Sequence, residues 1–520
     1  MTPARTARIV TALVMVVAVL GVSFASEAQT VPQTSRAVEQ VREYRRANEH
    51  RIVRELVDLL AIPNIASDTA NIQRNAAKLR EMLERRGFRV QFLPIEGRGP
   101  VIFGELPAAG ATRTVIIYCH YDGQPTDPAR WIDTKPWEPA LRTGSHMAGG
   151  KLMPWPTEGT PYQDDWRIYA RSASDDKSPI VAILVALDAL RAKSIPLSVN
   201  LKLVLDGEEE DGSPNLGRVL NAHKELLKGD VMLNADGPVH QSGRPLLAFG
   251  NRGVMGMEIT VCGPIRPLHS GHYGNWAPNP GMWLAQLLAS MKDKDGRVLV
   301  EGFYDDVVPL TGTERRALDE MPANDADLMH ELQLGSTEGA GRKLVELINQ
   351  PSLNIRGLRT GYVGAQSQNI VPTEAVASLD LRLVKNIDPR RQFDRVVAHI
   401  RKQGYYITED EPTREERLSH PRVARVVYGG GYRASRTPMD LPVAQAIAGV
   451  TEAALGPTVK MPTMGGSSPM YLIEDLGLPV IGTPIVNHDN NQHSENENLR
   501  LGNFWRGIEF FGALLADLRW

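Results

Sequence analysis

Cysteine is nearly absent, with Cys119 and Cys262 the only two in 520 residues. That scarcity excludes a disulfide-built scaffold and a Cys-rich zinc site, and two buried free thiols are the expected state. No Gly-x-Ser-x-Gly run occurs, so the nucleophile elbow of an α/β serine hydrolase is missing; Gly465-Gly466-Ser467-Ser468 lacks its spacing. The chain has no block of basic residues and a net charge of −3, which leaves no phosphate-neutralising surface for nucleic acid. It also has no internal repeat, no low-complexity tract and, beyond residue 25, no apolar run as long as a membrane span.

What is present is an ordinary globular balance, 42% hydrophobic and 23% charged. The length exceeds what one hydrophobic core usually supports, so two domains are expected. At the N-terminus, Arg5 and Arg8 precede an apolar stretch from Ile9 to Ala25, followed by Ser26-Glu27-Ala28. A positive end, an apolar middle and small residues two apart make residues 1–28 a secretory signal peptide, so the chain is expected to be exported, periplasmic or secreted. An uncleaved anchor is the second reading, because about 17 apolar residues is the lower limit for a span.

Periodicity predicts a charged helix from Ala37 to Leu60, ended by Pro63, and another from Asn71 to Arg86. Strands and helices then alternate: strands at Phe88–Pro94, Val101–Glu105, Thr114–Cys119, Val199–Leu205 and Asp230–Asn234, helices at Ser178–Lys193 and Leu216–Leu227. This rhythm implies an α/β fold, a mostly parallel sheet covered by helices. From about residue 248 an α+β pattern takes over, and the first rhythm returns near Ala444–Ala454 and Val480–Ile485. The expected organisation is an α/β domain (37–247 and 426–520) interrupted by an inserted α+β domain (248–425). Residues 125–165, rich in Pro, Gly and Trp, have no clear period, and loops of that length are usually functional or mobile.

The unusual polar residues fall at predicted strand ends, the edge of an open α/β sheet where ligands bind. His120 and Asp122 follow the strand ending at Cys119; a histidine there can offer a metal a neutral nitrogen while a carboxylate holds its other N–H. Asp175-Asp176-Lys177 precedes a helix and could be a simple N-cap, or Asp175 could face inward between two cations. Asp206-Gly-Glu208-Glu209-Glu210-Asp211 packs five carboxylates into six residues. At a buried strand end their repulsion calls for cations, and neighbouring glutamates allow one to bind metal while the other serves as a base. With Asp236 and His493, these residues give two histidines and at least three carboxylates, a set suited to zinc or manganese.

The ordered motifs resemble the zinc-dependent dipeptidase and aminoacylase family, which includes carnosine dipeptidases, carboxypeptidase G and succinyl-diaminopimelate desuccinylase. They are Tyr-Cys-His120-Tyr-Asp122-Gly-Gln-Pro, Ala-Arg-Ser-Ala-Ser-Asp175-Asp176-Lys177, Glu209-Glu210-Asp-Gly-Ser, Asn-Ala-Asp236, Leu-His269-Ser-Gly, Asp380-Leu-Arg382-Leu-Val, Met-Gly465-Gly466-Ser467 and Gln-His493-Ser-Glu-Asn-Glu. They span the chain from about residue 40 onward. The resemblance implies two divalent metal ions, zinc first, with manganese or cobalt also suited. His120 and Asp236 would hold one, Glu210 and His493 the other, and Asp175 would bridge both, with a cis peptide at Asp175–Asp176. Glu209 would be the general base, and Asp122 would support His120. The inserted domain would be a lid and dimerisation domain, making a homodimer in which His269 reaches the partner's active site to stabilise an oxyanion. Arg382, Asn369 and Gly465, Gly466 and Ser467 would contact substrate, a dipeptide or short peptide; the alternative substrate is an N-acyl amino acid. Carnosine-dipeptidase-like members carry an arginine just before the Gly-Gly-Ser loop, where this chain has Thr463-Met464. It also has the extra acids Glu208 and Asp211.

Overall fold

The strand Thr114–His120 shows why the chain layers as it does. Val115, Ile117 and Cys119 enter one buried cluster, and Ile116 and Tyr118 enter another on the opposite face. An apolar run with period two therefore buries both faces, and a sheet buried on both faces needs cover on both. The computed structural model, which describes residues 35–322 and 324–520, supplies it. Helices Glu49–Leu60, Thr69–Glu84, Lys177–Ala192, Pro442–Leu455 and Leu501–Asp517 pack on the first face. Helices Leu216–Ala222 and Tyr471–Glu474 contribute to the second. The expected signal segment, residues 1–28, lies outside the described residues. No helix among those described is long and apolar enough to cross a membrane.

The first sheet has eight strands, ordered 89–93, 101–106, 200–206, 114–120, 231–234, 480–482, 246–248 and 459–461. Strands 200–206, 114–120, 231–234 and 480–482 run parallel through its middle, whereas 89–93, 101–106 and 200–206 pair antiparallel at one flank. The expected α/β class is found, with a mixed sheet whose centre is parallel.

A second sheet is ordered Ser352–Thr360, Glu374–Leu383, Gly250–Cys262, Val423–Tyr432 and Tyr406–Thr408. Helices Pro280–Met291 and Pro389–Lys402 pack on it, with Met257, Ile259, Leu379, Leu287 and Val396 in their shared core. Its strand Val423–Tyr432 runs across position 425, the boundary expected from the sequence. Two short segments from further along the chain, Ser435–Arg436 and Met464–Ser467, pair with the start of Gly250–Cys262.

Three elements depart from their predicted form. The helix expected over 37–60 is two helices, Arg36–Ala47 and Glu49–Leu60, broken at Asn48. There the Asn48 amide side chain bonds the Tyr44 carbonyl, the local competition that disfavours asparagine within helices. The helix predicted over Leu216–Leu227 ends at Ala222. Residues 125–165 are not structureless: Ala140–Arg142 and Leu152–Met153 join Arg167–Tyr169 and Asn498–Arg500 in a small sheet. Trp131 is buried there, its indole N–H donating to Thr126. Cys119 and Cys262 are both free and buried, one in each large sheet.

Candidate active site

Parallel pairing aligns three strand ends. His120 is in register with Asp206, and Tyr118 with Asn234, so His120, the acidic turn after Asp206 and Asp236 all emerge at one edge. Asp175 joins them from the turn before helix Lys177–Ala192, and His493 from the loop after strand Val480–Gly482.

Asp175 lies at the centre. One carboxylate oxygen is 2.8 Å from His120 Nε2; the other is 3.2 Å from His493 Nε2. His493 Nε2 is also 3.3 Å from Glu210 Oε2, and ligand atoms of His120, Asp175 and Glu210 lie within 4.8 Å of one another. Asp236 is close enough for its charge to act on Asp175 and His120. Burial pushes the carboxyls of Glu209, Glu210 and Asp236 up, to about 8, 7 and 6, and neighbouring carboxylates, Asp175 among them, add to each rise. Burial opposes an imidazolium at His120, yet Asp122 and Asp175 hold its pKa well above the ordinary value. Asp175 raises His493 to about 9.

These shifts describe negative charge gathered in a poorly solvated place. Asp175 Oδ2 and His120 Nδ1 are buried without a hydrogen-bond partner. Nδ1 is 3.3 Å from Asp122 Oδ1, but the alignment is not that of a hydrogen bond. Imidazole nitrogens, clustered carboxylate oxygens and an orphaned bridging oxygen fit hard or borderline divalent cations, which would reverse the repulsion.

The run of five carboxylates divides its labour. Asp206 accepts from Ser213, and Glu208 accepts from the backbone and side-chain nitrogens of Asn215. Asp211 turns outward to pair with Arg98. Only Glu209 and Glu210 face the cluster. Asp122 does more than flank His120: its two oxygens accept the backbone N–H groups of Glu209 (3.1 Å) and Glu210 (3.0 Å), which fixes the acidic turn.

Several contributors were not legible from sequence. Glu497, fully buried, accepts backbone N–H bonds from Ser172, Ser174 and Asp175 and pairs with Arg171 at 2.8 Å. It thus sets the position of Asp175, but nothing in Gln-His493-Ser-Glu495-Asn-Glu497 separates it from Glu495, which reaches outward to Arg130. Gln124 Nε2 donates to Glu210 at 2.8 Å. Lys177 donates to the Leu59 and Ile62 carbonyls, and burial pushes its pKa down to about 7. The peptide Asp175–Asp176 is cis, as the family resemblance implies. Asp176 precedes the helix but makes no side-chain cap; its carboxylate accepts the backbone N–H of His120, so the capping reading is replaced by a bond from a strand end to the turn before the helix.

The cluster opens into a cavity of about 440 Å³ walled by Glu209, Glu210, His493, Ser467 and the stacked rings of Tyr432 and Tyr471. Arg382, from the second sheet, donates to Ser467 Oγ at 2.8 Å; Gly465 and Gly466 lie in the same short strand as Ser467. Buried Arg252 sits near Arg382, and burial followed by that charge lowers its pKa to about 10. His269 and Asn369 lie elsewhere. His269 pairs with Ile370 in a two-residue ribbon, and the Asn369 carbonyl accepts the Ser270 N–H. Both are exposed, and neither lines the cavity or joins the cluster.

A histidine- and carboxylate-rich centre at the carboxyl edge of an α/β sheet suits a metal-dependent enzyme, hydrolases among them. Comparison with known proteins gives the particular kind. Residues 116–517 match the description "Peptidase family M20/M25/M40", so the chain belongs to that family and is a metallopeptidase. It is 26% identical over 492 residues to the Cys-Gly metallodipeptidase DUG1 of Candida albicans, covering 89% of this chain and 94% of the relative. It is 26% identical over 446 residues to the human Beta-Ala-His dipeptidase, covering 82% and 78%. Among solved structures, the M20 family metallo-carboxypeptidase Sso-CP2 from Sulfolobus solfataricus superposes with a TM-score of 0.69 at 29% identity, covering 89% of this chain and 98% of that one.

Proposed function

We propose that this protein hydrolyses the amide bond of dipeptides or short peptides with two divalent cations, zinc first. One observation carries the reading: the two oxygens of Asp175 face two histidines, as a carboxylate shared between two cations must. His120 and Asp236 would complete one cation's ligands, Glu210 and His493 the other's. When bound, such a pair acidifies water toward neutrality and polarises a carbonyl.

The chain's own groups do the rest. Glu209, unengaged by the bonds that occupy Asp206, Glu208 and Asp211, takes a proton from the attacking water and later returns it to the leaving nitrogen. Arg382, with Arg252 behind it, offers guanidinium charge at the cavity's edge for a substrate carboxylate. That placement supplies positive charge without the arginine that Thr463-Met464 replaces. The Tyr432–Tyr471 stack gives a short substrate an apolar wall.

His269, exposed and apart from the cluster, acts on the partner's site in a homodimer. The edge strand Ser352–Thr360 supports this arrangement, since it leaves Ile355 and Leu358 uncovered and is followed by exposed Tyr362 and Val363. Sedimentation of the active protein as a monomer would refute it. Export rests on the layout of residues 1–28, and N-terminal sequencing of protein recovered outside the cytoplasm tests it.

The decisive assay is hydrolysis of a dipeptide and N-acyl-amino-acid panel by chelator-stripped protein, before and after zinc or manganese. Metal-restored dipeptide cleavage is expected. Restored cleavage of acylated amino acids alone would transfer the chain to the amidohydrolases.

A further inference from the structure

A second cavity, of about 650 Å³, shares no lining residue with the first. Six arginines line it: Arg42, Arg45, Arg46, Arg167, Arg500 and Arg506. Against them stand three carboxylates, Asp164, Asp489 and Glu509. Glu509 is already divided between Arg42 and Arg45, Arg45 also pairs with Glu49 at 2.7 Å, Asp489 is held by Arg167 at 2.7 Å, and Arg500 turns to Asp165. Among the described residues, Arg46 and Arg506 pair with no carboxylate. Arg506 donates only to the Leu455 carbonyl; burial disfavours its charge, Glu509 partly offsets this from a distance, and Arg500 adds repulsion. The walls hold a surplus of donors as well: Arg45 Nε, Arg167 Nε and Trp505 Nε1 are buried without an acceptor.

Guanidinium groups without a carboxylate and buried N–H donors without an acceptor, gathered around one hollow, carry a cost that a bound anion removes. The guanidinium groups come from helix Arg36–Ala47, strands Arg167–Tyr169 and Asn498–Arg500, and helix Leu501–Asp517. Phosphate presents oxygens in several directions and suits donors converging from different elements, whereas a lone planar carboxylate engages one fork. The volume is that of a small-molecule site, with room for more than one such group. We propose that this cavity binds a small molecule bearing two phosphate groups, and that binding steadies the segment that carries His493. The link is direct: Arg167 bonds both Asp489 and Asn498 Oδ1, and Asn498 Nδ2 donates to the Asn490 and Asn496 carbonyls. The binding claim is independent of the dipeptidase reading.

Titration calorimetry of the metal-loaded protein with fructose 1,6-bisphosphate tests it. One molecule per chain is expected, with a dissociation constant of order 10 µM, weakening as salt rises. The double variant Arg46→Ala/Arg506→Ala, both exposed side chains, should bind at least about tenfold more weakly while melting like the parent; Arg46→Glu alone is the second probe. Absence of binding, or binding that these variants leave unchanged, would overturn the site. Orthophosphate binding as tightly would overturn the two-phosphate requirement. Binding to phosphatidylglycerol vesicles but not to the sugar bisphosphate would make a lipid headgroup the occupant and overturn the small-molecule ligand. Hydrogen exchange across residues 489–498 should slow on binding in the parent and not in the double variant; unchanged exchange would overturn the coupling.

Discussion

At the carboxyl edge of the first sheet the charged side chains are held from several directions at once, whereas in the inserted region His269 and Asn369 stand in solvent. Asp122 grips two backbone amides, Glu497 grips three, and Gln124 orients Glu210. On the ribbon, His269 Nδ1 accepts only the local N–H of Gly271, and its ring rests on His272 at 4.5 Å. The contrast separates a cluster organised before substrate arrives from exposed side chains that only a second surface, such as the proposed dimer's, would position. Preorganisation is what gives fixed dipoles and charges their catalytic strength.

The largest expected effect lies in the organised cluster. Glu209→Gln should lower kcat by about 10²–10⁴ with both metals still bound, read by steady-state rates and metal analysis. Near-normal turnover would remove Glu209 from proton transfer. His269→Ala should cost about 10²–10³ in kcat if it stabilises an oxyanion across a dimer. The comparison sharpens on mixing: randomly reassociated Glu209→Gln and His269→Ala dimers should regain about a quarter of parental sites, because each mixed dimer holds one intact pair. No recovery would place His269 in its own subunit's chemistry or outside it altogether.

Glu497→Gln keeps volume but weakens the grip on Asp175, and metal affinity should fall by about 10–100-fold in a competition titration. Unaltered affinity would show that the turn holds itself. The smallest effect is on stability. Glu209, Glu210 and Asp236 have folded-state pKa values raised to about 8, 7 and 6, so without metal the folded state binds more protons than the unfolded one between about pH 4 and 8. Their contribution is full below the unfolded carboxylate range and is lost as pH rises through those values. Chelated protein should accordingly melt at lower temperature at pH 8 than at pH 5.5, and excess zinc should remove much of that difference.

Six strands of the first sheet and the residues at their ends were legible because apolar runs with polar punctuation are short-range signals; the three-residue strands Leu246–Ala248 and Val459–Met461 were too short to give one. The helix Leu501–Asp517 was not. It is buried on nearly every side, its polar stripe is confined to Asn503, Arg506 and Glu509 in the first half, and its glycines argue locally against a helix. Packing explains them: a Cβ at Gly507 would lie 2.3 Å from Ile485 Cδ1, and one at Gly512 would lie 2.7 Å from Val41. At the site, residue types announced the ligand-like groups, but the braces depend on contacts between distant segments. Glu497 with Ser172 and Asp122 with Glu210 are such pairs, and no local pattern distinguishes a bracing carboxylate from one that faces a metal. The arginine cavity was invisible for the same reason, its members being scattered from Arg42 to Arg506.

That buried helix also sets an order of events during synthesis. Helices Arg36–Ala47 and Lys177–Ala192 must wait for it to cover them, and strand Val480–Gly482 enters the sheet between two strands made more than 200 residues earlier. The second sheet, complete by Met464–Ser467, can close while the first still lacks its final strand and helix. A chain built this way emerges with its inserted region able to fold first and its metal-binding edge assembled last. Of the candidate ligands His493 is the last to be made, only just ahead of the helix that locks the core, so the edge gains its fifth ligand group about 250 residues after Asp236.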